Sequence, residues 1–460
     1  MGPTRVATRR RGDFPTPPAL VDLVVEHALA PVASGATVRV LDPACGDGRF
    51  LIAAGRRIAA AGGRPELYGV DIHPPAVDAA VSALTLAGLG PVSSVVVGDA
   101  RLHDWPTDLF DVVVGNPPFR SPLVDGGERA GAGGPYADLA AEFLALAVSR
   151  ARPAGGRVGL VLPQSILAAR DAGPVRAAVV AAAELVWSWW SPGRHFDAQV
   201  VVCAVVVERR PGPATAGTGA SWGGVVIDAL GVPAVGPLAT DGCLADWGRV
   251  TANFRDQYYG LIGAVDDDRS GPSLVTSGLI DPGHCRWGQR PVRFGGRRFE
   301  RPRVELAALT PALRRWAEGL LVPKVLVANQ TRVIEAVADP AGAWLPGVPV
   351  LTVRPAAGAA VAEVAAVLTS PVATAWAWHR AAGTGLSATA LRLGPRWLAE
   401  LPWPAGPLDD AVAALAAGDV ERCGASVLAA YGRAGDDPLL AWWSARLPAH
   451  REGSTTSTSR

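Results

Sequence analysis

Lysine is almost absent from this chain of 460 residues: Lys324 stands alone among 43 basic residues of the Lys and Arg type. Codon bias is enough to explain that. It still means that nearly every contact to phosphate or carboxylate falls to arginine, with its planar fork of donors. Cysteine is thin as well. Cys45, Cys203, Cys243, Cys285 and Cys423 stand singly, with no CxxC pair and no His-spaced cluster. No metal site is therefore expected, and an odd number argues against a disulfide framework and for a reducing, cytoplasmic setting. Charge of one sign is missing too, at a formal net +1. A nucleic-acid partner would have to be signalled by local clusters instead. There is no run of about 20 apolar residues free of charge, Gly and Pro, so no membrane span is expected. The basic opening MGPTRVATRRRGD is not followed by the apolar core of a signal peptide.

What is present is an ordinary globular balance, 49% apolar and 18% charged. That is material for two or three domains at roughly 150 residues each. Across 37–210, short β-branched runs alternate with Ala/Leu-rich stretches. The pattern predicts strands at 37–43, 66–72, 93–97, 110–115, 156–163, 183–190 and 200–208, and helices at 48–61, 75–87, 138–150 and 165–182. Near-continuous apolar strands separated by helices imply a mostly parallel sheet covered on both faces. The last two strands follow each other with no helix between them, which predicts a reversed strand at the sheet edge. Seven strands also set this apart from a plain six-stranded dinucleotide fold. The expected class is α/β, with a Rossmann-like domain over 1–210. The Pro/Gly-rich 211–235 reads as a linker, 236–449 as a second, mixed α/β domain, and 450–460 as a disordered tail.

Four motifs in the first domain carry chemistry. Asp42-Pro43-Ala44-Cys45-Gly46-Asp47-Gly48 runs from a strand into a helix, where glycines permit a tight turn and close backbone approach to a ligand. Leu51 replaces the third glycine of a dinucleotide loop, which disfavours that ligand. Asp71, followed by Ile72 at the end of the second strand, can accept both hydroxyls of a ribose; a helix cap is the plainer alternative. Gly98-Asp99-Ala100 follows the third strand, and Asp99 could accept a purine amine. Asn116-Pro117-Pro118-Phe119 follows the apolar strand FDVVVG. Its two prolines remove two N–H donors. What is left around Asn116 is rich in acceptors: its own side-chain oxygen and the Pro117 carbonyl. Two acceptors on one exocyclic NH₂ would hold it and draw its lone pair out of conjugation, ready to attack a methyl sulfonium. Phe119 offers a flat face on which a base could stack.

In that order and at that spacing, DPACGDGRF, GVDIHP, GDA and NPPF resemble the DNA adenine-N6 methyltransferases of restriction–modification and related defence systems. The likeness covers 8–210, in the γ order of motifs. It implies S-adenosyl-L-methionine as cofactor, bound by Phe14, Thr16, Asp42, Ala44, Gly46, Gly48, Asp71, Ile72, Asp99, Ala100 and Asn116. Asn116, Pro117, Pro118 and Phe119 would be catalytic, with Phe196 joining Phe119 on the flipped base. Pro15, between Phe14 and Thr16, departs from the usual aromatic-Thr-Pro pattern. The PYADL at 135–139 and GRVGLVLPQSIL at 156–167 look like later family motifs.

The second half is similar to the C-terminal target-recognition domain of type II and type IIG enzymes, through LVPKVLV at 321–327 and ALRLGPRWLAELPWP at 390–404. Between linker and that match, RWGQRPVRFGGRRFERPR holds seven arginines. The DNA contacts expected here are Arg286, Arg290, Arg293, Arg297, Arg298 and Lys324. Phe254, Tyr258 and Tyr259 are either core rings or fillers of the hole a flipped base leaves. The implied partner is double-stranded DNA, met by a monomer. Cleavage would come from a separate endonuclease or defence subunit, because no acid stands two residues before Lys324. Cytosine-N4 transfer, an RNA or protein amine as acceptor, and a non-catalytic DNA-binding subunit are the competing readings. Cytosine-C5 chemistry would need a cysteine following a proline, and none has that setting.

Overall fold

The computed structural model describes residues 15–105, 109–119, 139–193, 201–212, 222–253, 255–356, 360–385, 389–433, 435 and 437–448. They form two compact units, Met1–Ala229 and Leu230–Arg460.

The first unit is built on seven strands: β1 (Thr37–Asp42), β2 (Arg64–Asp71), β3 (Ser93–Val97), β4 (Val112–Gly115), β5 (Arg157–Pro163), β6 (Ala183–Trp190) and β7 (Val202–Arg209). Their order is β3-β2-β1-β4-β5-β7-β6. β1 to β5 run parallel, and β7 is antiparallel to both its neighbours. The α/β class and the seven strands are as expected. The reversed strand, however, is not the edge. β7 reads VCAVVVER and is buried along nearly its whole length, whereas β6 is half-exposed. An uninterrupted apolar run needs cover on both faces and a hydrogen-bonding neighbour on each side, so β7 lies inside and β6 takes the rim.

Helix α1 (Pro18–Ala28) starts on a proline, which costs nothing at a first turn, and buries Leu20, Val21, Val24, Val25 and Ala28. That stripe at helical spacing packs on β4, β5 and β7. Each buried valine there contributes roughly 1.5–3 kcal/mol, so a charged residue at Val24 would break the contact. Helix α2 (Arg49–Ala60) packs on β2 and α1, α3 (Pro74–Leu86) on β3, and α4 (Leu139–Arg150) on β5. The single helix expected over 165–182 is interrupted: a short turn at Ser165–Ala168, a 3-10 turn at Arg170–Ala172, and then a helix at Gly173–Ala182. Pro174 cannot donate to a continuing ladder. The expected linker is also partly structured, since Trp222 is buried and helix Gly224–Ala229 packs on β6.

The second unit is mixed α/β. One antiparallel sheet has the order Ala336–Asp339, Lys324–Val327, Leu351–Pro355, Gly248–Ala252. Among the described residues, a second four-stranded sheet and four two-stranded sheets accompany it. No single described helix is long and apolar enough to cross a membrane. The apolar pair Val361–Leu368 and Pro371–Ala381, bent by 61°, is largely buried within this unit.

Candidate active site

In a parallel sheet whose order reverses between β1 and β4, the crevice opens beyond the C-terminal strand ends. A cavity of about 460 Å³ lies there. It gathers Thr16, Asp42, Ala44, Gly46, Asp71, Ile72, Asp99, Ala100, Asn116 and Pro118 from their separate places in the sequence. Gly48 does not line it. It makes the turn into α2, at a φ of +79°, pressed on Ala80. Pro117 is not on the wall either, and Phe119 packs partly buried against the core of the unit. Phe14 and Phe196 lie outside the described residues, as do most of PYADL (135–138) and Phe254.

Three carboxylates shape the floor. Asp71 ties β2 to the glycine loop: its Oδ2 accepts from Gly46 N–H and its Oδ1 from His73 N–H, both at 2.9 Å. Asp42 is 1% exposed and accepts from Ala44 N–H at 3.1 Å. Burial, with Asp71 and Asp47 adding to it, pushes its carboxyl up to about 8. Its place depends on Gly115, where a Cβ would come within 2.6 Å of Oδ1. Asp47 is held below the usual carboxylate range by Arg49, which also donates to Thr16 O.

Asp99 is engaged by Arg101 through the backbone N–H and Nε, both at 3.0 Å, and through Nη2 at 2.7 Å; the same guanidinium reaches Glu142 on α4 at 3.2 Å. Beside it Ala100, Leu139 and Phe143 form an apolar wall, backed by Trp105 and continued by Ile72, which is 58% exposed. Reading the sequence missed Arg49, Arg101, Leu139, Phe143 and Glu142. The two arginines stand within two residues of acids already singled out. Leu139 closes the PYADL run already set apart as resembling a family motif, whereas Glu142 and Phe143 had no local signal, because only the fold brings that helix to the cavity.

The donor set fits a nucleoside that carries positive charge. Asp71 can take ribose hydroxyls, the apolar wall suits a purine, and Asp47 and Asp71 would repel a pyrophosphate. Arg49 and Arg101, the arginines on the wall, are already committed to carboxylates.

In the second unit the expected DNA contacts separate. Lys324 is corrected: it is 0% exposed, and its Nζ is paired with Asp339 and with Val322 O. It sits in a strand whose other side chains are Val, Leu and Val, so its charge points inward to a counter-ion and not to DNA. Arg286 and Arg290 both pair with Asp281. Arg293 and Arg298 face each other across the hairpin Val292–Phe294/Arg297–Phe299 and are exposed. Arg297 pairs with Asp266 at 3.1 Å. Tyr258 is a core ring, edge-on to Phe294 at 4.9 Å and accepting from Gly295 N–H. Tyr259 is 57% exposed. Among the described residues, no cluster of side chains could hold a metal.

The strand order and the acid-floored crevice define an S-adenosylmethionine-dependent methyltransferase fold. Residues 4–206 match the family described as N-6 DNA Methylase, and the resemblance carried by the motifs is borne out for that stretch. The type II methyltransferase M.TthHB8I of Thermus thermophilus is 38% identical over 117 residues, which is 25% of this chain and 23% of the relative's length. The chain thus spans under a quarter of the length of that curated relative. Among solved structures it is similar to the type IIG restriction endonuclease BpuSI, at a TM-score of 0.42 and 13% identity over 97% of this chain and 65% of that one. It is also similar to a type I restriction–modification methyltransferase subunit from Streptococcus thermophilus, at 0.36 and 20% over 43% and 46%.

Proposed function

We propose that this protein methylates the N6 amine of adenine in double-stranded DNA, at a specific site and in a restriction–modification or defence setting. The observation that carries the reading is the placement of Asn116-Pro117-Pro118: it leaves β4 at the switch point, with Asn116 and Pro118 on the wall shared by Asp42, Gly46 and Asp71. Bound S-adenosylmethionine would supply a methyl already activated as a sulfonium. Thr16, Ala44, Gly46, Asp71, Ile72, Asp99 and Ala100 would hold it, with Asp71 giving its positive charge a negative neighbour and Asp42 closing the floor beneath.

The chain's own part is positioning. Adenine must leave the duplex stack to present N6, at a cost of a few kcal/mol. Asn116 and the Pro117 carbonyl then accept from the amine, fixing its direction and freeing its lone pair. Neither proline offers an N–H that would compete for that lone pair. Orientation of this kind can remove much of a transfer barrier. Phe119 and Phe196 are proposed to stack on the base, which requires Phe119 to turn from its present packing. Arg293, Arg297 and Arg298 are proposed to meet phosphates, and Arg286 and Arg290 to contact the same DNA.

The test is methylation of unmethylated genomic DNA by the purified chain with labelled cofactor, followed by base analysis. N6-methyladenine should form, and Asn116→Ala should reduce it by orders of magnitude while cofactor still binds. Label in cytosine N4, in RNA or in protein would overturn the adenine assignment.

A further inference from the structure

Five polar side chains of the C-terminal unit are locked to one another at its surface. Asp281 accepts from Arg286 Nε at 2.7 Å and from both Nη atoms of Arg290 at 3.2 Å. Arg286 Nη1 reaches Gln289 Oε1 at 3.3 Å, and the same oxygen stands 3.2 Å from His284 Nε2. The backbone beneath is pinned as firmly. Gln289 and Arg290 N–H donate to Arg286 O at 3.0 and 3.1 Å, and Gly283 N–H to Ala336 O at 2.8 Å. The Trp287 indole donates to Pro302 O at 3.0 Å. Despite this, the side chains of Arg286 and Arg290 remain 27% and 49% exposed.

The half-exposed Arg290 guanidinium adds little to stability through its pair, so the fixing of its fork on the largely buried Asp281, 14% exposed, calls for another role. Arginine forks match the O6 and N7 acceptors of guanine, glutamine matches the N6 and N7 edge of adenine, and a carboxylate accepts from cytosine N4. A reader of base edges needs such donors and acceptors already fixed, because rotamer freedom lost on binding weakens discrimination. Arg293 and Arg298 are held less firmly: both are exposed, and Arg298 pairs with Glu300 at 3.3 Å, between side chains 67% and 65% exposed. They suit phosphate, where geometry matters less. Glu335 is close to Asp281 and Arg290. Burial and Asp281 push its carboxyl up to about 8, so it adds no second negative charge toward DNA at neutral pH.

We infer that the Asp281 network, with Arg286, Arg290 and Gln289, reads base edges of the recognised site, while the 292–299 hairpin grips the backbone. This rests on the DNA methyltransferase reading. The experiment maps methylated positions on unmethylated genomic DNA for the full-length wild type, Asp281→Asn, Arg290→Gln and Arg293→Ala. Asp281→Asn and Arg290→Gln should lower the preference for the consensus over sites differing at one base pair by about ten- to a hundredfold. Arg293→Ala should leave that preference intact, slow methylation at all sites and weaken its salt dependence. Arg290 is half-exposed, so its variant stays informative if Asp281→Asn fails to fold. If the wild type methylates DNA and both network variants keep its preference, the inference falls and the parent reading stands. If the wild type methylates no DNA, both fall.

Discussion

Asp42 in the N-terminal unit and Asp339 in the C-terminal unit are both buried, at 1% and 2% exposure. Asp339 has its counter-charge built in: Lys324, with Ala343 and Trp344 N–H donating at 3.0 Å. Asp42 has one N–H from Ala44, and the charged groups that bear on it, Asp71 and Asp47, are acids. A buried charge without a partner is costly, and Asp42 meets that cost by holding its proton. The contrast separates a carboxylate neutralised within the fold from one that lines a cavity with no counter-charge among the described residues.

The largest effect should come from breaking the paired site. Lys324→Met leaves Asp339 charged in an apolar interior. Removing one partner of a buried pair costs about 3–5 kcal/mol. Denaturant titration should show that loss in the C-terminal unit, while cofactor titration reports an intact N-terminal cavity. An unchanged midpoint would mean that the pair is not structural. Next is Gly115→Ala, which forces a Cβ to within 2.6 Å of Asp42 Oδ1. Overpacking of this kind costs about 1–3 kcal/mol, and here it should also weaken cofactor binding in a titration. A variant that melts like the wild type and binds normally would show that Asp42 is free to move.

The pH dependence of Asp42 sharpens the comparison. Its folded carboxyl is raised from 3.8 to about 8. The stability this contributes is present below about pH 4 and is lost as the pH climbs through 8. Asp42→Asn keeps an acceptor for Ala44 N–H and removes the titration. Without cofactor, denaturant curves at pH 5, 7 and 9 should diverge, with the variant gaining on the wild type as pH rises. Parallel curves would show that Asp42 already has a cationic neighbour.

These residues were not equally visible in the sequence. The N-terminal site is written in short local signals, such as glycines where a strand turns into a helix and prolines that strip donors after a buried strand. Such signals survive without knowledge of the fold. Lys324 was misread because a lone basic residue near an arginine cluster looks like a DNA contact. The better clue was its setting in KVLV, where a charge on a continuously apolar strand has to find a partner inside. That partner lies fifteen residues on, beyond any local rule. The places of β6 and β7 were legible in principle, since only one of the two runs is apolar on both faces. The break in 165–182 was also marked, by Gly173-Pro174. The helix over 138–150 was legible and Leu139 stood in a quoted motif, but the place of Phe143 on the cavity was not marked, because it depends on how Leu139 and Phe143 meet Val70 and Ala100.

The smallest effect on stability should come from Arg101. Its three bonds to Asp99 and its reach to Glu142 make the densest ion-pair network of the cavity rim, yet Arg101 and Asp99 remain 37% and 20% exposed. Solvent at such a site screens the attraction, and the pair should be worth no more than about 1 kcal/mol. Arg101→Ala should therefore shift the denaturation midpoint far less than Lys324→Met, even though both remove a cation facing an aspartate. If the two losses prove equal, counter-charge alone decides stability. The distinction drawn between Asp42 and Asp339 would then have to rest on something other than burial.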